Sequence, residues 1–185
     1  MRLLLALPLL LTACATAQVA RTVPPSTRPI LTEDTRDADR TAVEAAVAER
    51  VVAEGVHVVH FWAPWCGNSR AELEGGLYEA VEAHPDVTFS FVTIWNDAED
   101  GADRLARYGI EASDHVFVAA QPDRGPSADR ALRRTTFLGI PLTWTPTTHI
   151  YNRGGKLAYA FNYGELTPAM LTEAIANARN EWTHE

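Results

Sequence analysis

Val56-His57-Val58-Val59-His60-Phe61-Trp62-Ala63-Pro64-Trp65-Cys66-Gly67-Asn68-Ser69 is the stretch on which the reading turns. Its first seven residues are β-branched or aromatic at Val56, Val58, Val59 and Phe61, which suits a strand buried in a sheet. Pro64 ends that run. Leu73, Leu77, Ala80 and Val81 then recur at i, i+4, i+7 and i+8, with Glu72, Glu74, Glu79 and Glu82 outside and Pro85 as a stop, so a helix follows. Cys66 therefore falls at a helix amino terminus. Gly75 and Gly76 cost about 2 kcal/mol of helix propensity together, and a bend is expected near Gly75.

Outward from this centre, Val43, Ala46, Val47 and Val51 have helical spacing in 41–53, with Glu44, Glu49 and Arg50 assigned to the other faces and Gly55 ending the helix. Residues 87–95 and 115–120 read as strands, and 102–108 as a short helix. Residues 147–152 and 156–162 flank Arg153-Gly154-Gly155, the chemistry of a tight hairpin. Thr167 as cap and Pro168 at the first helical position open a last helix, with Leu171, Ala174, Ile175, Ala178 and Trp182 on one face. Strands alternating with helices, then a hairpin and a closing helix, predict an α/β fold with a mixed central sheet covered by helices on both faces.

The 185 residues carry 16 Lys+Arg against 24 Asp+Glu, a formal net charge of -8 that disfavours nucleic acid as a partner. Hydrophobic residues at 46% and charged residues at 22% fit a soluble domain with a core rather than a disordered chain or a membrane bundle. The 2 cysteines, Cys14 and Cys66, are too few for a disulfide scaffold or a four-thiolate metal site, so no metal and no cofactor is expected. A copper-carrier reading of Cys66 with His60 or His149 lacks its second thiolate.

Residues 1–13 combine Arg2, an apolar run from Leu3 to Leu11 and small residues, the layout of a secretory signal and far short of the ~20 residues that span a bilayer. Leu11-Thr12-Ala13-Cys14 resembles the bacterial lipobox. The resemblance implies lipidation at Cys14, a membrane anchor of several acyl chains and, with Ala15 following, a periplasm-facing lipoprotein of the outer membrane. Cleavage at an Ala-x-Ala site is the alternative, and it implies export as well. Residues 14–40, with Pro24, Pro25 and Pro29 and no sustained periodicity, read as a tether, and 41–185 as the domain.

Phe61-Trp62-Ala63-Pro64-Trp65-Cys66 resembles the active-site entry of the thioredoxin-like family, and Thr145-Pro146-Thr147-Thr148 resembles its cis-proline loop. Arg70 and Glu72 are most similar to the membrane-anchored periplasmic thiol-disulfide reductases. The resemblance implies a thioredoxin fold over about 41–182, with an insertion at about 109–144. It further implies a cis Pro146 facing Cys66, with Trp62, Trp65, Gly67, Asn68, Thr145 and Pro146 as substrate-binding residues. His60 stands where many thioredoxins carry a proton-relaying Asp, so it is a candidate acid/base partner of Cys66.

The departure lies in Cys66-Gly67-Asn68-Ser69, where Ser69 replaces the resolving thiol. No internal disulfide can close, yet a thiol at a helix start gains from unpaired N–H groups that favour thiolate. The expected activity is therefore monothiol exchange with a protein or low-molecular-weight thiol or disulfide, with Cys66, Ser69 and His60 as catalytic candidates. The competing expectation is a redox-inactive module that binds a protein partner at the cis-proline groove. Arg124, Arg130, Arg133 and Arg134 form a basic run that reads as the solvated face of a short helix, with recognition of an acidic partner as the alternative.

Overall fold

The computed structural model describes residues 39–162 and 166–180. The expected leader at 1–13, the lipidation site Cys14, nearly all of the tether at 14–40 and Trp182 lie outside these residues.

Thr41 starts helix α1 (Ala42–Val51) through a reciprocal cap: its hydroxyl accepts the Glu44 N–H at 3.1 Å while the Glu44 carboxylate accepts the Thr41 N–H at 2.9 Å. Strand β1 (His57–Trp62) follows and is buried along its whole length. It lies at the centre of the sheet, parallel to β2 (Thr88–Thr93) and antiparallel to β6 (Thr147–Tyr151). Strand β3 (Val116–Ala120) extends the sheet beyond β2 and β7 (Leu157–Phe161) beyond β6, in the order β3-β2-β1-β6-β7. Asn152 closes the β6–β7 turn, its side-chain oxygen accepting the N–H groups of Gly154 and Lys156. The sheet is thus mixed, with helices packed against it, as the alternation of elements predicts.

The two-residue period of β1 divides the core. Val58 and Trp62 enter one cluster with Leu73, Leu77, Leu171 and Ile175, contributed by α2 (Gly67–Glu74), α3 (Leu77–Glu82) and α5 (Pro168–Ala178). Val59 and Phe61 enter a second cluster on the opposite face with Val47 and Val51 of α1 and with Phe137 and Leu142. The expected bend near Gly75 is a full break, since α2 ends at Glu74 and Gly76 takes φ 97 before α3 begins. Only glycine holds that left-handed conformation without strain. Short α4 (Ala102–Ala106) begins after Gly101, at φ 68, where a Cβ would stand 2.8 Å from the Trp62 ring.

Within 109–144, β3 belongs to the central sheet, and 121–144 lies outside it. This outer segment carries the short pair β4 (Thr136–Phe137) and β5 (Ile140–Pro141), and a single 3₁₀ turn at Arg130–Leu132 stands where a helical face was expected. Phe137 and Leu142 anchor it in the second core cluster, and polar bonds hold its outer part: Ser127 donates to Asp123 at 2.7 Å, and Asp97 accepts the Ser127 N–H at 2.7 Å.

Three charged residues that helical spacing puts on outer faces are buried or half-buried instead. Glu44 is buried and accepts the Leu138 N–H at 3.0 Å in addition to its cap. Glu72 is buried and accepts the Leu166 N–H at 2.7 Å. The half-buried Arg50 lays its guanidinium 3.9 Å from the centre of the Phe117 ring. In each case a long-range partner compensates the desolvation that a helical pattern alone would forbid.

Candidate active site

Where β1 ends, the chain turns through Ala63, Pro64 and Trp65 into α2, and Cys66 is the residue capping that helix in an extended conformation. The turn is closed by the Cys66 N–H donating to the Ala63 carbonyl at 2.9 Å. Arg104 of α4 donates to the Pro64 carbonyl and pins the loop from outside. The first turn of α2 contains no acidic side chain to compete for its N–H groups.

The peptide bond between Thr145 and Pro146 is cis. The Cys66 thiol donates to the Thr145 carbonyl at 3.3 Å, which brings together two motifs 79 residues apart in sequence. Ser69 is fully buried, and its hydroxyl accepts the Ala63 N–H at 3.2 Å and lies 3.4 Å from the Thr145 hydroxyl. It ties the β1 turn, α2 and the cis-proline loop together.

A pocket of about 540 Å³ opens beside the half-buried Cys66. Trp65, Gly67, Asn68 and Thr145 line it. Trp62 does not: it is fully buried in the core, because it closes the same strand face as Val58. Pro146 is also buried and is absent from the pocket lining.

His60 is buried on that same strand face, and its hydrogen-bond partner is the Thr148 hydroxyl, 2.9 Å from Nδ1. Its Nε2 lies 3.7 Å from the buried carboxylate of Glu72. It makes no hydrogen bond to Cys66, whose thiol is directed at Thr145 instead. Desolvation pushes the His60 pKa down to about 4, so the ring is neutral at pH 7.

The rest of the pocket lining comes from residues with no signal as site residues in the sequence: Trp95, Arg130, Arg133, Thr135, Thr143 and Trp144. Trp65 donates to the Trp95 carbonyl at 2.9 Å, and Trp95 donates to the Arg134 carbonyl at 3.0 Å. The Arg133 guanidinium rests 5.7 Å from the Trp65 ring centre and 5.3 Å from that of Trp95. Trp95 itself holds φ 55, a region seldom visited by residues with a Cβ. No local pattern announces this wall; the basic run was its one visible trace. Among the described residues, no group of three or more His, Cys, Asp or Glu side chains could hold a metal ion.

The architecture and the site together define a thioredoxin-fold protein. A DsbF homologue from Corynebacterium diphtheriae superposes with a TM-score of 0.51 at 21% identity, covering 68% of this chain and 73% of its own. A secreted thiol-disulfide isomerase from Corynebacterium glutamicum gives 0.50 at 21% identity, covering 68% and 71%. No protein-family model and no curated protein matches the chain.

Proposed function

We propose that this is an exported, envelope-anchored protein of the bacterial periplasm that carries out thiol-disulfide exchange by a monothiol mechanism through Cys66. The observation that carries the reading is the Cys66 thiol at the start of α2, 3.3 Å from the carbonyl preceding the cis proline and beside a pocket, with Ser69 in place of a second thiol. The thiolate attacks one sulfur of a disulfide, forming a mixed disulfide on Cys66 and releasing the other half as a thiolate that takes up a proton. An external thiol then attacks the mixed disulfide and returns Cys66 to its reduced form. The thiol-disulfide proteins that share the fold support this chemistry.

Anchoring belongs to the same proposal. The lipobox places a lipid on Cys14, residues 14–40 act as the tether, and the domain at 41–185 faces the periplasm from the outer membrane. Its partners are a protein or small-molecule thiol or disulfide and, through the anchor, the membrane.

The test is purified protein challenged with a small disulfide, with adducts read by intact mass without reductant. One adduct per chain on Cys66, lost in Cys66→Ala, is the expected result. In addition, Ser69→Cys supplies a thiol one helical turn along and is expected to confer dithiol reduction of insulin. An adduct-free Cys66 would overturn the proposal and leave a binding module.

A further inference from the structure

The arginines of segment 121–144 fall into two pairs with opposite roles. Arg124 and Arg134 share the Asp39 carboxylate, at 2.7 Å and 3.1 Å. Arg130 and Arg133 line the pocket beside Cys66 and have no carboxylate partner among the described residues. Arg130 is exposed, and its side chain makes no hydrogen bond to the described residues. Arg133 spends only its Nε, which donates to the Ser127 carbonyl at 2.7 Å, and its two terminal nitrogens stay available. The nearby carboxylates are turned elsewhere: Asp97 and Asp123 bond Ser127 and the Arg134 N–H, and Asp129 accepts the Ala131 N–H. Among the described residues, no acidic side chain lines the pocket. In a chain of net charge -8, this is a local reversal of sign at the one described thiol.

We infer that the pocket selects a small disulfide whose half carries carboxylates, of about tripeptide size; the inference rests on the exchange reading of Cys66. A volume of about 540 Å³ suits a small ligand. Arg133, held against Trp65 and Trp95, presents a planar fork already oriented for a carboxylate, and Arg130 offers a second positive group at the rim. The Cys66 thiolate attacks the near sulfur, the Cys66–ligand disulfide forms, and the second half leaves as a thiolate that takes up a proton. Cys66 is oxidised and the departing half reduced. A second anionic thiol of the same class reverses the step.

The test uses the full chain in detergent, with mass readout of the Cys66 peptide. Rates of adduct formation are compared for glutathione disulfide, neutral bis(2-hydroxyethyl) disulfide and cationic cystamine, each divided by its rate with a free reference thiol. The expected order is anionic, neutral, cationic, with a preference of about tenfold between the first two that collapses in ~1 M salt. Arg130→Gln, an exposed change that the fold tolerates, is expected to cut the preference about threefold, and Arg133→Gln to cut it further. Equal normalised rates for the three disulfides, or a preference untouched by both variants, overturn this inference while exchange at Cys66 stands. A neutral peptide disulfide that outpaces glutathione disulfide overturns it in favour of an extended protein strand. Absence of any adduct overturns the exchange reading itself.

Discussion

The two walls of the pocket are built on different principles. The thiol wall, Cys66 and Thr145, hangs directly on the central strands, since Cys66 follows β1 and Thr145 precedes β6, and β1 and β6 pair along their lengths. The arginine wall stands on segment 121–144, outside the sheet, and is held by Ser127, Asp123, Asp97 and the indoles of Trp65 and Trp95. Reactive atoms sit on the rigid scaffold, and the groups that would choose among ligands sit on a polar loop that can vary without disturbing the sheet.

This contrast predicts a hierarchy of effects. Cys66→Ala removes all mixed-disulfide formation, whereas changes in the opposite wall alter rates severalfold; a residual adduct in Cys66→Ala, read by mass, breaks the distinction. Next in size, Phe137→Ala is expected to cost about 3–5 kcal/mol, because this fully buried ring packs edge-on to Phe61 at 4.8 Å and ties the outer segment to the core. The urea midpoint measures it. An unchanged midpoint would show that the outer segment is held by its polar bonds alone.

The third expectation concerns acid. Burial pushes His57, His60 and His149 down to about 4 from an ordinary value near 6.5, so each is held neutral in the folded state. Their unfolded forms take up protons first as pH falls, so stability declines from about pH 6.5 to about pH 4 and levels off below as far as these groups are concerned. Neither ring nitrogen of His149 has a hydrogen-bond partner among the described residues, and the ring packs against Phe61 at 5.1 Å. His149→Phe is therefore expected to flatten that acid limb by up to about 3 kcal/mol, measured as urea midpoints against pH. An equally steep limb in the variant would assign the acid response elsewhere.

The smallest effect is expected from Asp39→Asn. The guanidiniums of Arg124 and Arg134 hold this exposed carboxyl below the usual carboxylate range, and solvent screens the pair. A slight fall in thermal midpoint that vanishes in high salt is expected, and a salt-independent fall would contradict the ionic reading.

Much of the thiol wall was legible in local patterns, the β-branched run of β1 and Cys66 at a helix start, whereas Thr145-Pro146 was legible only through the family resemblance, since nothing in its own spacing brings it to Cys66. The break at Gly76 was readable in kind, though two adjacent glycines show only that the helix is costly there. Glu44 and Glu72 could not be placed, because what permits their burial is an N–H contributed 94 residues away in each case. Trp62 and Trp65 look alike in the motif, yet the first completes the strand's inner face and the second stands exposed in the turn that follows. The arginine wall was hidden for the same reason at larger scale. Which arginines find a carboxylate partner depends on where Asp39 lands, and spacing along the chain does not carry that information.

The most direct test of the central claim is the state of Cys66 in living cells, fixed by acid quenching and alkylation and read by mass spectrometry of its tryptic peptide without reductant. Monothiol exchange predicts a fraction of Cys66 in mixed disulfide with a protein or a small thiol, which also identifies the partner. A uniformly free and slowly alkylated Cys66 would contradict it.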